Sequence, residues 1–182
     1  EPFVGGGAVF FHLSEQITAQ QIPSVINDIN PELVNCYQMV KTQTDDLISL
    51  LKTHKHDKNY YLEIRNLDRQ EGGLSALSPL ERASRFIYLN RTGFNGMYRV
   101  NSKGLNNVPF GRYKNPSIVN EYVLRASAKA LIDTQISNQS FQDCLSNARK
   151  GDFVYLDPPY VPLNDTSYFT SYFYSYYYYY YY

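Results

Sequence analysis

The apolar run Phe153-Val154-Tyr155-Leu156, closed by Asp157-Pro158-Pro159-Tyr160, constrains this chain more than any other stretch. Four apolar residues bounded by Gly151-Asp152 on one side and a proline pair on the other predict a buried strand over 153–156. Neither proline has an N–H and both have a fixed φ, so the chain after the strand cannot enter a helix or a ladder at once. The expected result is a rigid ledge. On it Asp157 presents carboxylate oxygens, Pro158 a carbonyl, and Tyr160 a flat ring. Acceptors beside a stacking surface suit a planar group that carries an NH2, such as the exocyclic amine of a nucleobase. A plain strand end with a proline turn is the competing reading of the same residues.

Near the other end, Pro2-Phe3-Val4 is followed by Gly5-Gly6-Gly7 and the apolar stretch Ala8-Val9-Phe10-Phe11-His12-Leu13. Strand, glycine turn and helix is the opening of a nucleotide-binding βα unit, in which glycines let the backbone approach a ligand. Ser24-Val25-Ile26-Asn27-Asp28 reads as a second strand ending in an acid about 20 residues past the glycines, the spacing of a carboxylate on ribose hydroxyls. Asp28 could equally serve the helix that follows, since Asn30-Pro31-Glu32 is an N-cap with proline at the first helical position. That helix is predicted over 31–53, with a break near Thr42-Gln43-Thr44, on the spacing of Leu33, Val34, Tyr37, Val40, Leu47, Leu50 and Leu51. Further helices are expected over 59–68, over 79–90 behind Ser78-Pro79-Leu80-Glu81, over 117–133 and over 142–148, with a short strand at Thr134-Gln135-Ile136-Ser137. Strands alternating with helices predict a mostly parallel sheet that binds ligands at its carboxyl edge, where the glycine loop, Asp28, Ser140-Phe141 and Asp157 all fall.

The 182 residues carry 17 basic and 17 acidic side chains, enough chain for one α/β domain with no net charge. The distribution is uneven. Between positions 82 and 120 there is no Asp or Glu, yet Arg82, Arg85, Arg91, Arg99, Lys103, Arg112 and Lys114 fall there, which leaves 10 basic residues against the 17 acidic ones elsewhere. A locally positive surface on an acidic body fits a polyanionic partner. In this block Thr92-Gly93-Phe94-Asn95-Gly96 and Asn107-Val108-Pro109-Phe110-Gly111-Arg112-Tyr113-Lys114 flank a β-hairpin expected to turn at Lys103-Gly104. Arg pairs bidentately with guanine or phosphate and Asn with adenine, and a hairpin fits a major groove.

Cys36 and Cys144 form no CxxC pattern, so neither a disulfide framework nor a zinc site is indicated, and a reducing, cytoplasmic setting is expected. His54 and His56 read as the solvated end of a polar helix, and no metal site is expected. No apolar run approaches transmembrane length. The chain reads as cut at both ends, and residues 171–182 read as a tyrosine-rich low-complexity tail, ten of the 19 tyrosines lying at or beyond Tyr168.

Taken together, Glu1-Pro2-Phe3-Val4-Gly5-Gly6-Gly7-Ala8, Ile26-Asn27-Asp28-Ile29-Asn30, Phe94-Asn95-Gly96 with Arg99-Val100-Asn101, the 107–114 block and Asp157-Pro158-Pro159-Tyr160 resemble the Dam-like, class alpha DNA adenine-N6 methyltransferases, most closely the DpnII type. The resemblance covers nearly all of residues 1–170. It implies an α/β fold: a Rossmann-like S-adenosylmethionine-dependent methyltransferase sheet with an inserted helical and β-hairpin DNA-recognition domain. The expected division is 1–56 as the first part of the cofactor-binding domain, 57–116 as the target-recognition insertion, 117–170 as the second part of the catalytic domain, and 171–182 as the tail.

The resemblance also implies roles. S-adenosylmethionine would lie against Pro2, Phe3, Gly5, Gly6, Gly7, Asp28, Ser140, Phe141 and Asp157. A flipped adenine would meet Asp157, Pro158, Pro159 and Tyr160. Arg99 would read guanine; Phe94, Met97, Pro109 and Tyr113 would contact the groove or the base pairs; and Asn95, Asn101, Asn107, Arg112 and Lys114 would contact mainly phosphates. The implied partner is double-stranded DNA at GATC, bound by a monomer, with a companion restriction endonuclease in view. Relatives carry a Trp and a Gly-Gly-Lys segment ahead of the first motif, which this chain lacks, and an acid where this chain has Ser140, so that contact would shift to Asp143. Two other functions stay open on the residues: a non-catalytic DNA-binding remnant, and an amino methyltransferase acting on cytosine N4 or on RNA.

Overall fold

A computed structural model describes residues 1–158 of the chain. Pro159, Tyr160 and the tyrosine-rich tail, for which the sequence raised expectations, lie outside the described residues. Two strands, β1 (Ser24–Asn27) and β2 (Thr134–Ser137), pair in parallel with Ser24 opposite Thr134 and Asn27 opposite Ser137. Parallel neighbours need a crossover, and here it is long, comprising α2 (Pro31–Thr42), α3 (Thr44–Leu51), α4 (Lys58–Asn66), α5 (Pro79–Thr92) and α6 (Glu121–Leu131). One helix (Ala8–Ala19) precedes β1 and is α1; another, α7 (Phe141–Leu145), follows β2. The expected first strand is present only as a pairing: Asn27 donates its N–H to the Glu1 carbonyl at 2.9 Å and accepts from the Val4 N–H at 2.9 Å. Those partners are spaced more widely than a regular parallel ladder allows, so residues 1–4 follow β1 without forming a strand.

The helix boundaries follow from local chemistry. Asn30 accepts from the Glu32 and Leu33 N–H groups, and Pro31 opens α2. The expected break separates α2 from α3 at Gln43, whose φ of −137° leaves the helical region, while the Thr42 and Thr44 hydroxyls donate back to the Gln38 and Val40 carbonyls. Ser78 and Glu81 form a reciprocal capping box with Pro79 at the first position of α5. For α6 the expectation of a start near 117 is corrected to 121. Asn120 is the cap, through Val123 N–H, and the Ser117 hydroxyl is committed to the Val119 carbonyl.

A larger correction concerns 153–156. These residues form no strand, and the Phe153 side chain is 78 % exposed. An apolar run becomes a strand only through ladder bonds to a neighbour, and among the described residues the sheet is β1 and β2 alone, with residues 1–4 beside β1. After α7 the chain instead turns through Arg149-Lys150-Gly151-Asp152, where the Arg149 N–H meets the Asp152 carboxylate at 2.8 Å.

Two apolar clusters hold the molecule. The main one joins Val4, Phe10, Ile26, Tyr37, Val40, Leu47, Ile48, Leu51, Ala83, Leu124 and Leu131, so α1, α2, α3, α5 and α6 pack around β1. The second is built from Tyr61, Tyr88 and Leu89, with Phe110 and Ile118 against them, and it joins α4 and α5 to the segment that follows the hairpin. His54 belongs beside this second cluster. Its Nδ1 lies 2.8 Å from the Tyr60 hydroxyl, its Nε2 2.9 Å from the Ser84 hydroxyl, and its ring stacks on Tyr88 at 4.4 Å. The expected solvated histidine is thus half-buried and fully bonded, because α3, α4 and α5 converge on it.

Burial pushes His54 down to about 4 from an ordinary 6.5. Between those values the unfolded chain binds the proton and the folded chain does not, so stability falls as pH drops through that window and is level above it. Urea-unfolding midpoints measured between about pH 7 and about pH 4.5 should therefore fall less for His54→Asn than for the parent chain. Parallel curves for the two proteins would show that His54 does not carry the acid sensitivity.

Candidate active site and reading face

At the carboxyl end of β1 the chain brings three separate motifs together through one side chain. Asn27 is 1 % exposed. Its Nδ2 donates to the Pro2 carbonyl at 3.0 Å and the Gln139 carbonyl at 3.1 Å, and its Oδ1 accepts from the Ser137 hydroxyl at 2.8 Å and the Gln139 N–H at 3.0 Å. Both donors and both acceptor positions of the amide are used, so a buried polar group costs nothing in unmade bonds and fixes a geometry. Asn138 adds a bond from Nδ2 to the Asp28 carbonyl at 2.8 Å. Sequence reasoning passed over Asn27. Its signal was an amide in the middle of an apolar strand, directly before the acid.

Asp28 is buried at this edge. One carboxylate oxygen accepts from the Gly5 N–H at 3.2 Å and the other from the Asn30 N–H at 2.9 Å. The carboxylate therefore ties the glycine loop to the start of α2. The Tyr37 hydroxyl donates to the Gly5 carbonyl at 2.8 Å, and burial raises its ionisation range, keeping it a donor. Gly7 has φ +70°, and a Cβ there would lie 2.8 Å from the Phe11 ring and 2.9 Å from the Tyr37 hydroxyl. By contrast, Cβ atoms at Gly5 and Gly6 would meet nothing within 4 Å. Behind the loop the backbone is tight; in front of it there is room for a ligand to approach.

Around that opening, Phe3 and Phe141 pack with ring centroids 5.3 Å apart, bringing two expected cofactor residues from distant sequence into contact. Ser140 is the N-cap of α7: its hydroxyl accepts from the Asp143 N–H at 3.1 Å and lies 2.7 Å from the Asp143 carboxylate. The pair is exposed and mutually bonded, so the serine and the acid expected to substitute for it form one unit. Pro2 is buried under the loop.

Glu1, which sequence reasoning did not single out, accepts the Phe10 N–H at 3.0 Å inside the first turn of α1. Burial pushes the Glu1 carboxyl up; the Phe10 N–H and the adjacent amino group oppose this, and the Asp157 carboxylate adds to it. Asp157 is thus within electrostatic reach of the glycine loop, exposed and irregular in backbone, with Pro158 half-buried beside it. Cys36 is a buried core thiol pushed up to about 12 by desolvation, and is chemically quiet.

The face expected to read DNA is built separately. The expected hairpin is present: Asn101 N–H bonds the Leu105 carbonyl, Gly104 N–H the Asn101 carbonyl, and Asn107 N–H the Arg99 carbonyl, at 2.9, 2.9 and 3.1 Å. Asn101 spends its side-chain oxygen on the Lys103 and Leu105 N–H groups, so it shapes the turn. A second pairing, Phe94 N–H to the Pro109 carbonyl at 2.9 Å and Gly111 N–H to the Thr92 carbonyl at 2.8 Å, joins the two flanking motifs. Gly111 is required there, since a Cβ would sit 2.9 Å from both the Gly93 and Thr92 carbonyls.

Of the seven basic residues in the acid-free block, two are not on that face. Arg85 is buried, bonded to the Ile64 and Arg65 carbonyls at 2.9 and 2.6 Å and to Asp68 at 2.9 Å. Arg82 pairs with Glu32. The expected basic surface is therefore smaller than the sequence suggested, because acids from α2 and from the turn after α4 reach into the block. Asp68 also accepts the Asn106 N–H at 2.8 Å, so the buried ion pair anchors the base of the hairpin. Arg91, Lys103, Arg112 and Lys114 stay exposed, as do Phe94, Asn95, Met97, Pro109 and Tyr113. Asn95 and Gly96, at φ +54° and +60°, form the tip of the Phe94-Asn95-Gly96 turn.

Arg99 is held. Its Nε donates to Asn107 Oδ1 at 2.7 Å and one Nη to the Asn107 carbonyl at 3.2 Å. Those bonds use one side of the guanidinium fork and leave the end-on pair of Nη donors for a bidentate acceptor. Asn107, expected at a phosphate, orients Arg99 through its Oδ1 and its carbonyl. An open cleft of about 670 Å³ runs beside this turn, lined by Asn90, Arg91, Asn95, Tyr113, Lys114 and Ser117 among others. It lies on the reading face and away from the strand ends.

The chain matches the family of D12 class N6 adenine-specific DNA methyltransferases over residues 1–180. It belongs to that family. Among its relatives are a type II methyltransferase of Lactococcus lactis subsp. cremoris (M1.LlaDCHI), 47 % identical over 174 residues, and one of Methanocaldococcus jannaschii (M.MjaIII), 41 % identical over 179. A DNA adenine methylase of Serratia marcescens is 38 % identical over 170 residues. Each alignment covers 93 % of this chain and 59, 61 and 60 % of the respective relative, so the chain spans about three fifths of the length of the relatives it matches. Family membership accounts for the mixed helix and strand architecture with its parallel pair. Among the described residues no helix is long and apolar enough to cross a membrane.

Gly7→Ala tests the loop. A side chain at a positive φ against two filled positions should destabilise the chain by more than about 1 kcal/mol and displace the loop. Gly6→Ala, with open space before it, should leave stability nearly unchanged. Thermal unfolding of both variants checks this, and equal losses would mean that the loop is not packed as described.

Proposed function

We propose that this chain carries the cofactor-binding, catalytic and target-reading parts of an enzyme that transfers a methyl group from S-adenosylmethionine to N6 of adenine in double-stranded DNA, within GATC, on a base turned out of the helix. The observation that carries the reading is the convergence of the glycine loop, Asp28 and the Phe3–Phe141 pair at one edge of β1, in a chain of this family. The open space before Gly5 and Gly6, against the filled space behind Gly7, fits a bound cofactor at that edge. Pro2, Phe3, Gly5, Gly6, Gly7, Asp28, Ser140 and Phe141 would hold it. When bound, S-adenosylmethionine supplies an electrophilic methyl group on a sulfonium.

The chain's own task is to prepare the amine. The N6 lone pair is delocalised into the adenine ring, and acceptors on its two hydrogens favour the pyramidal, nucleophilic form. Asp157 and the Pro158 carbonyl are those acceptors, and Tyr160, which lies outside the described residues, would supply the stacking ring. Positioning and local electrostatics then provide most of the rate. Residues 57–116 serve as the DNA-reading insertion, a division supported by the separate cluster around Tyr61 and Tyr88 and by the hairpin that Asp68 and Arg85 anchor. Arg99, oriented by Asn107, reads guanine; Arg91, Lys103, Arg112 and Lys114 meet phosphates. Two of the relatives named above are type II methyltransferases, which supports pairing with a restriction endonuclease.

The test is transfer of labelled methyl from S-adenosylmethionine to an unmethylated GATC duplex, beside Asp157→Ala. Label on adenine N6, lowered by about 10²-fold or more in Asp157→Ala, is the expected result. Label on cytosine or RNA would move the activity to the amino methyltransferase alternative, and DNA binding without transfer to a binding remnant. In binding assays Arg99→Ala should lose about 1–3 kcal/mol of preference for GATC over altered sites. Lys114→Ala should weaken all duplexes alike and reduce the salt slope by about one. Equal losses on every sequence for both variants would remove Arg99 from the reader's role.

A further inference from the structure

His56 lies between α3 and α4, far in sequence from the residues expected at DNA, and neither the motifs nor the family resemblance assigns it a role. Its Nε2 lies 2.8 Å from the Tyr113 carbonyl, and its ring packs against Phe110 with centroids 4.9 Å apart. A carbonyl oxygen only accepts, so Nε2 carries the proton and donates, which fixes the tautomer. Nδ1 is then the aprotic nitrogen, and it is buried with no hydrogen-bond partner among the described residues. That is the less costly tautomer for the position, since a buried N–H without an acceptor is penalised more than an aromatic nitrogen without a donor.

The segment so held is the one that needs holding. Arg112, Tyr113 and Lys114 are exposed, and Tyr113 and Lys114 line the cleft. Among the described residues the backbone bond that fixes the start of the segment is Gly111 N–H to the Thr92 carbonyl. His56 supplies the next attachment, two residues on, and its ring packs against Phe110, just ahead of the same segment.

We propose that His56 is a positioning residue for DNA reading: by bonding the Tyr113 carbonyl and covering Phe110 it fixes the Arg112-Tyr113-Lys114 segment in its DNA-facing conformation. The inference rests on the reading of this face as a DNA surface, so its test has one arm that needs no DNA. Arg112 and Lys114 are trypsin sites that flank the held carbonyl, and Lys103, in the hairpin turn, is a trypsin site that His56 does not touch. In the free chain, His56→Ala should speed cleavage after Arg112 and Lys114 relative to Lys103. His56→Gln, whose amide N–H falls close to the position of Nε2, should restore the ratio of the parent chain. In the second arm, fluorescence anisotropy with a GATC duplex should show about fivefold weaker binding for His56→Ala, near the parent value for His56→Gln. S-adenosylmethionine affinity should be the same in all three proteins.

An unchanged cleavage ratio in His56→Ala overturns the proposal. So does a uniform rise at all three sites with loss of cofactor affinity, which would make His56 a general structural residue. If the parent chain fails to bind DNA at all, the DNA reading of the face is what falls, and the cleavage ratio still decides whether His56 holds the segment.

Discussion

One buried amide holds the site together. Asn27 spends both of its N–H groups and both lone-pair directions on Pro2, Gln139 and Ser137, and its backbone bonds Glu1 and Val4. Every group it joins is a neighbour of a site residue: Pro2 precedes Phe3 and the glycines, Asp28 follows Asn27, and Gln139 precedes Ser140 and Phe141. A buried side chain that satisfies all four of its hydrogen-bonding positions has one orientation, and the three chain segments bonded to it have one relative placement. With them placed, the Asp28 carboxylate can reach Gly5, and Phe141 can lie against Phe3. A cofactor site assembled from three distant stretches needs some such common point, and a carboxamide suits it because it donates and accepts without carrying a charge into the core.

The reading face uses a different device for the same end. There the fixed point is an ion pair, Asp68 with Arg85: Arg85 also donates to the Ile64 and Arg65 carbonyls, the Asp68 oxygen that meets Arg85 also accepts the Asn106 N–H, and the other Asp68 oxygen meets Arg69. A buried pair of this kind adds little net stability over an apolar replacement, but removing one partner strands the other. Its position at the base of the hairpin accounts for where Arg99 and Asn107 stand. The internal cations Arg82 and Arg85 have their own acids, Glu32 and Asp68.

Local features were legible from the residues alone. The Asn30-Pro31 and Ser78-Pro79-Leu80-Glu81 starts, the break at Thr42-Gln43-Thr44, the glycine loop entering α1 and the turn at Lys103-Gly104 depend on partners within a few positions, which the sequence displays side by side. The order of the motifs was legible in the same way, and with it the family. What failed depended on partners far along the chain. The apolar run at 153–156 looks like a strand, but among the described residues no strand pairs with it. Arg82 and Arg85 look like surface charge until Glu32 and Asp68 arrive from 50 and 17 positions away. His54 and His56 look like the solvated end of a helix, yet their bonds run to Ser84 and Tyr113.

By itself the sequence determined the helix starts and breaks, the glycine loop, the hairpin turn and the set of groups available for chemistry, because φ preferences, capping and missing N–H groups act within a few residues. Only the tertiary structure decided which of those groups share a site, which cations reach the surface, and which buried polar side chains, Asn27 first, hold the rest in register. The reason is one of range. Capping and turn chemistry are written in adjacent residues, whereas the Ser137 hydroxyl on the Asn27 amide joins residues 110 positions apart, and only the packed core brings them to 2.8 Å.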